Sequence, residues 1–214
     1  LGGSANTITN QGTLAAGLAV ASSIAIQVSS AAGQSSVGPT TINNSGTTSG
    51  QVLVNGGTGT FNNLSGGTFN TGSTVTLGTS GTLVNAGTLA PGGRGQILTT
   101  TISQGSLTQS SVGVLAIDIS AASNQADQIV VAGTAQLAGS VQANLLTTQQ
   151  TTSGSVTIVS ATSGVASSTQ SSLVAPTSTA VVTYSLAYPN ANDIVLNYSV
   201  NYANANVRAA ANGN

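Results

Sequence analysis

The chain contains no cysteine, histidine, methionine or tryptophan, and no lysine or glutamate. Its charge rests on two arginines, Arg94 and Arg208, and three aspartates, Asp118, Asp127 and Asp193. Each absence excludes something. Two arginines cannot neutralise a run of phosphates, so nucleic acid is not an expected partner. Without His or Cys there is no zinc, haem or iron–sulfur site. The same lack excludes Ser-His-Asp and Cys-His catalysis. No disulfide can form. No segment reaches the ~20 apolar residues of a membrane-spanning helix, so membrane insertion is not expected. No cofactor or metal, and no catalytic residue, is expected.

What is present is Gly, Ala, Val, Leu, Ser, Thr, Asn and Gln, with 27 glycines and 39% apolar residues in 214. Disorder is the first expectation from so much Gly, Ser and Thr. Mean hydropathy of +0.27 opposes it. So does the alternation in Val52-Leu53-Val54, Leu115-Ala116-Ile117-Asp118-Ile119 and Ile194-Val195-Leu196, which is a strand pattern. Helix is disfavoured, since Thr, Gly, Asn, Ser and Val are poor helix formers. The stretch Leu14–Val28, interrupted by Gly17, Ser22, Ser23 and Gln27, reads as one or two buried strands.

A short motif recurs: Thr, an apolar residue, one more residue, Asn, then Gly-Thr shortly after. It appears at Thr7–Asn10, Thr41–Asn44, Thr60–Asn63 and Thr82–Asn85. The motif asparagines are 34, 19 and 22 residues apart. The last two spacings fit one turn of a β-solenoid. The first implies one turn plus an insertion, or two short turns with one motif lost. In such a fold the apolar residues face inward. The Asn amide bonds its own backbone or the equivalent Asn of the next turn, and Gly takes the corners. The fold class expected is all-β, a right-handed parallel β-helix over 1–150, most regular over 40–110. Residues 151–202 are expected to form a β-hairpin or sandwich cap, and 203–214 a linker or cleavage-region tail. Within the cap, Val182, Tyr184, Leu186 and Tyr188 alternate on one face. Ile194, Leu196, Tyr198, Val200 and Tyr202 alternate on another, with a turn at Pro189–Asp193 between them.

Gly87-Thr88-Leu89-Ala90-Pro91-Gly92-Gly93 resembles the signature closing many β-helical passenger regions of type V autotransporters. Gly105–Gln109, Gly113–Ile119, Asp127–Gly139, Gly154–Val159 and Tyr188–Leu196 follow in the order of that family's pre-barrel region. The resemblance covers about residues 41–202. It implies a C-terminal autochaperone-like cap that helps a passenger fold after secretion through an outer-membrane barrel. The barrel and its linker helix have no counterpart here. The expectation is therefore a trimmed or barrel-less piece located outside the cell or on its surface.

The remaining chemistry is sparse. Asp118, opposite Leu115, Ile117 and Ile119 on its strand, reads as an outward solvated carboxylate. Asp127 reads as a turn-stabilising Asx residue and Asp193 as part of the hairpin turn. A glycosidase needs two carboxyls facing one sugar, which these positions do not promise. Arg94 is a turn residue that could meet a carboxylate or carbonyl. Three Asn-x-Ser matches, at Asn43, Asn63 and Asn197, fit a glycosylation acceptor pattern. The function expected is that of a non-enzymatic bacterial surface stalk or adhesin, self-associating into fibres because so little charge opposes contact. A host-surface or glycan ligand is the further partner considered. The alternatives are an ice- or glycan-binding face and, last, an enzyme acting on polysaccharide. Thr74, Thr76, Thr79 and Thr82 would serve an ice-binding face, but the threonines form no regular Thr-x-Thr ladder from turn to turn.

Overall fold

The structure, a computed structural model, describes residues 4–17, 20–30, 37–147 and 152–203. The chain runs as short strands in repeated passes. The first holds β1 (Asn6–Asn10), β2 (Thr13–Ala15) and β3 (Ile24–Val28). The second holds β4 (Thr40–Asn44) and β5 (Thr47–Val54), and the third β6 (Gly59–Asn63) and β7 (Thr68–Leu77). Next come β8 (Thr82–Asn85), β9 (Thr88–Pro91) and β10 (Thr99–Gln104). They are followed by β11 (Ser106–Gln109), β12 (Val114–Ser120), β13 (Gln125–Ala126) and β14 (Gln128–Val131), then β15 (Ala135–Leu137), β16 (Gly139–Thr147) and β17 (Thr152–Ala161). A one-turn helix α1 (Thr169–Ser172), β18 (Leu173–Val174), β19 (Val182–Ala187) and β20 (Asp193–Val200) complete the described chain.

The first strands of six passes form one sheet, ordered β1-β4-β6-β8-β11-β15, and the remaining strands form a fourteen-stranded sheet. Pairing from pass to pass is parallel. The result is an all-β fold with a nearly closed, barrel-like wall with parallel strands. Parallel sheets bury their inner face fully, and β-branched and apolar residues at period two supply it. In the smaller sheet Ile8, Ile42, Phe61, Leu83, Leu107 and Ala135 fall in one register column. All but Ile8 are buried. Facing them in the larger sheet, Phe69, Leu89, Leu115 and Val141 form a second column. Phe61 and Phe69 stack across the interior with ring centroids 4.4 Å apart. Each such side chain contributes about 1.5–3 kcal/mol by leaving water.

The 34-residue spacing is one pass with an insertion, since β1 pairs β4 directly. Leu14–Val28 supplies two strands, β2 and β3, as expected. They are less buried than expected: Ile26 and Val28 are buried, but Ile24 is 46% exposed. Both lie at the end of the larger sheet, and among the described residues they pair only with β5.

Toward the β19 end of the larger sheet, parallel pairing stops at β17. It runs parallel to β14 on one edge and antiparallel to β20 on the other. β19 and β20 form the expected antiparallel hairpin, with Tyr184 opposite Tyr198. Ile194, Leu196, Tyr198 and Val200 are buried and belong to the common core, and Tyr202 is 41% exposed. The expected boundary at 150/151 and the tail beyond Ala203 lie outside the described residues.

Candidate functional site

Three polar arrangements are built by the pass-to-pass register. The first lies inside. Asn10, Asn44, Asn63 and Asn85 end β1, β4, β6 and β8 and are buried. Asn10 Nδ2 donates to Asn44 Oδ1, Asn44 Nδ2 to Asn63 Oδ1, and Asn63 Nδ2 to Asn85 Oδ1, each at 2.8 Å. Asn85 Nδ2 donates to Gln109 Oε1 at 2.8 Å, and Gln109 Nε2 to the Ala138 carbonyl at 2.7 Å. The second N–H of each asparagine donates to a main-chain carbonyl, of Thr47, Thr68, Thr88 and Val114 in turn. That contact fixes each amide's orientation, because only the NH2 end can face a carbonyl. The expected Asn-to-Asn bonding between turns is therefore present, at the expected spacings. Its continuation through Gln109 was not expected. Burial of Asn63 removes it as a glycosylation acceptor.

The corner after this row needs glycine. A Cβ on Gly46, Gly87 or Gly139 would strike the carbonyl of Gly12, Gly67 or Gly113. Those same carbonyls accept N–H groups of Thr47, Thr88 and Ser140 at 2.8, 2.8 and 3.1 Å. The Gly-Thr of the repeated motif is thus one pass resting on the one before.

The second arrangement is acidic. Asp118 and Asp127 are buried, at 3% and 1% exposure. This corrects the reading of Asp118 as solvated, and of Asp127 as bonded to its own turn. The cause is the segment between β9 and β10, residues 92–98, which crosses the outer face of β12. Asp118 accepts the N–H groups of Gly95 and Gln96 through Oδ2, and Asn144 Nδ2 through Oδ1. Asp127 accepts Leu98 N–H at 2.7 Å and Asp118 N–H at 2.8 Å. Burial pushes the Asp127 carboxyl up from 3.8 to about 7. The N–H donors of Asp118 and Leu98 oppose that rise, and the neighbouring Asp118 charge adds to it. Alternation along β12 places Asp118 correctly on the outer side but is blind to what a distant segment lays over it.

Arg94 rides on that segment and is exposed. It lines a small cavity of about 10 Å³ with Asp118, Asp127, Gln142 and Asn144. Asp193 opens β20 and closes the hairpin turn, accepting Asn190 Nδ2 at 2.8 Å and donating its N–H to Asn190 Oδ1 at 2.9 Å. Asp193 is thus at the hairpin and apart from the other two carboxylates. Among the described residues no three acidic, His or Cys side chains gather as a metal site. No helix there is long and apolar enough to cross a membrane.

The third arrangement faces outward from the smaller sheet. Thr7, Thr41, Thr60, Thr82 and Ser106 occupy one register column. Thr9, Asn43, Asn62, Val84, Thr108 and Gln136 occupy the next outward column. Asn62 Nδ2 donates to Asn43 Oδ1 at 2.8 Å. No regular Thr-x-Thr ladder forms, since Asn, Val and Gln interrupt the second column, but the first is a single hydroxyl column. Of the four threonines first considered, only Thr82 belongs to it. Thr74 and Thr76 lie in the larger sheet and Thr79 in a turn. Each member of the column stands three residues before a member of the buried amide row, a signal the motif already carried.

No protein-family model, curated protein or solved structure matches the chain.

Proposed function

We propose that this chain is a segment of a secreted bacterial surface protein, a right-handed parallel β-solenoid serving as stalk or adhesin without catalysis. The observation that carries the reading is the buried amide row. The same residue type recurs at the same spot, pass after pass, and each copy bonds the next. That equivalence is what a stacked repeat requires. The order of motifs from Gly87 to Leu196 supports a type V secretion route and an extracellular location. Residues 151–202 act as the cap, with the β19–β20 hairpin turning the sheet from parallel to antiparallel. Self-association into fibres is supported by the low charge and by strand edges. β1 and β19 end their sheets, so each leaves one edge unpaired among the described residues.

Two measurements test this reading. Electron microscopy of the purified chain at high concentration should show rods or fibres, and light scattering should show mass growing with concentration. A compact monomer under all conditions overturns the fibre and stalk reading. Protease shaving of intact cells expressing the complete gene tests location, since a chain protected until lysis is not on the surface.

The outward face of the smaller sheet, with its hydroxyl column, favours one second reading, binding to a periodic surface, either ice or a crystalline glycan. Its columns repeat at about 4.8 Å between strands and about 6.6 Å along them. They bear neither charge nor aromatic ring. Thermal hysteresis, and adsorption to microcrystalline polysaccharide, separate the two ligands. Inactivity in both removes the reading.

A further inference from the structure

Of the four charged side chains in the described residues, three meet in one place: Arg94, Asp118 and Asp127. In a chain with so little charge, two buried carboxylates side by side call for an explanation. Neither is used by the stalk reading. Between them they accept three consecutive-region N–H groups, of Gly95, Gln96 and Leu98, all on the segment joining β9 to β10. Asp127 is tied in turn to the backbone of Asp118, and Asp118 to Asn144 on β16. Gly92, Gly93 and Gly95 in the same segment have φ of +70°, +76° and +92°, so its path depends on glycine.

We propose that Asp118 and Asp127 form a pH-sensitive latch, holding residues 92–98 against the outer face of β12 in acid and releasing them as Asp127 ionises. With Asp127 neutral, the latch buries a single carboxylate, Asp118, which three donors satisfy. With both ionised it buries two like charges. The groups facing the pair are few. The covering segment brings Arg94, which is exposed and mostly hydrated. β9 brings Ala90, β12 brings Ala116 and Ile117, and β16 brings Gln142, Ala143 and Asn144. None of these but Arg94 is titratable or charged. Opening the segment returns both carboxylates to water. The closed form therefore binds a proton on Asp127 more tightly than the open form, and burial accounts for that direction. The cavity of about 10 Å³ between the segment and β16 is the size of one water, a ready entry for solvent. Release frees the outer face of β12 and one wall of the adjoining groove, which Arg94 lines with Gln142, Pro176 and Tyr184.

Amide hydrogen exchange of the full chain tests the latch. Protection at Gly95, Gln96 and Leu98, corrected for the intrinsic pH dependence, should fall by up to about tenfold per pH unit between pH 4 and 7, then level off. Protection at Leu83 and Leu107, in the core, reports global unfolding and should stay higher than at the three amides at every pH. In Asp127→Asn the slope at the three amides should vanish. Should that variant fail to fold, carbon NMR of the wild-type carboxyls gives the same answer, with Asp127 titrating near neutrality. A flat profile in the wild type overturns the proposal. A slope that survives in Asp127→Asn, or an Asp127 carboxyl titrating near 4, does so equally.

Discussion

Asn63 donates its side-chain N–H to the Oδ1 of Asn85, 22 residues further on, at 2.8 Å. It accepts from Asn44 over the same distance. Three buried amides thus share two bonds, and removing the middle one strands a donor on one side and an acceptor on the other. Asn63→Ala should destabilise the fold by about 2–4 kcal/mol, read as a shift of the urea midpoint. A loss under ~0.5 kcal/mol would mean the row contributes nothing net.

Two glycines separate the steric argument from composition. Gly87→Ala drives a Cβ into the Gly67 carbonyl, whereas a Cβ on Gly12 meets nothing within 4 Å. The first substitution should cost about 1–3 kcal/mol and the second fall within about 0.5 kcal/mol of wild type. Thermal melts of the pair decide it. Equal effects would contradict the close pass-to-pass contact.

Phe61 and Phe69 are the only phenylalanines and they stack on each other. Phe61→Ala should cost about 3–5 kcal/mol. A double-mutant cycle with Phe69→Ala should return a coupling of about 0.5–1.5 kcal/mol.

How much of this could be read beforehand follows from what each feature depends on. The amide row was legible because its spacing is a property of one strand register, and Asn10, Asn44, Asn63 and Asn85 mark that register in the sequence. The β19–β20 hairpin was legible because period-two patterning and a Pro-Asn turn are local. Gln109 was missed because it does the work of an asparagine with a longer side chain, 24 residues on from Asn85. Asp118 and Asp127 were misjudged because their burial is decided by residues 92–98, far from either in local pattern. The hydroxyl column was missed because its members recur at unequal intervals, the passes differing in length.

Global stability should depend on pH through Asp127. Its carboxyl is raised in the folded chain to about 7 from 3.8. The folded state therefore holds the proton more tightly than the unfolded one. Stability is greatest below about pH 4, declines as pH rises to about 7, and is level above that. Urea titrations at pH 4, 5.5, 7 and 8.5 should show a falling midpoint. A midpoint that rises over this range would show that another group dominates.

On the outward face, Thr60→Tyr with Thr82→Tyr should leave the melting temperature nearly unchanged, since both side chains point away from the core. The same pair should abolish any adsorption to ice or glycan crystals. Retained adsorption would place the binding elsewhere.

Every amide in the buried row donates its N–H in the same direction along the chain, from Asn10 toward Ala138. The row therefore has a head and a foot that are chemically different. Asn10 presents only an oxygen on the leading side, already bonded to Gly12 N–H, whereas Gln109 ends the row by donating its N–H to the Ala138 carbonyl. Dipoles aligned in this way reinforce one another. A pass added in the reverse sense would meet them with the wrong pole, so this polypeptide can lengthen its interior only in one orientation.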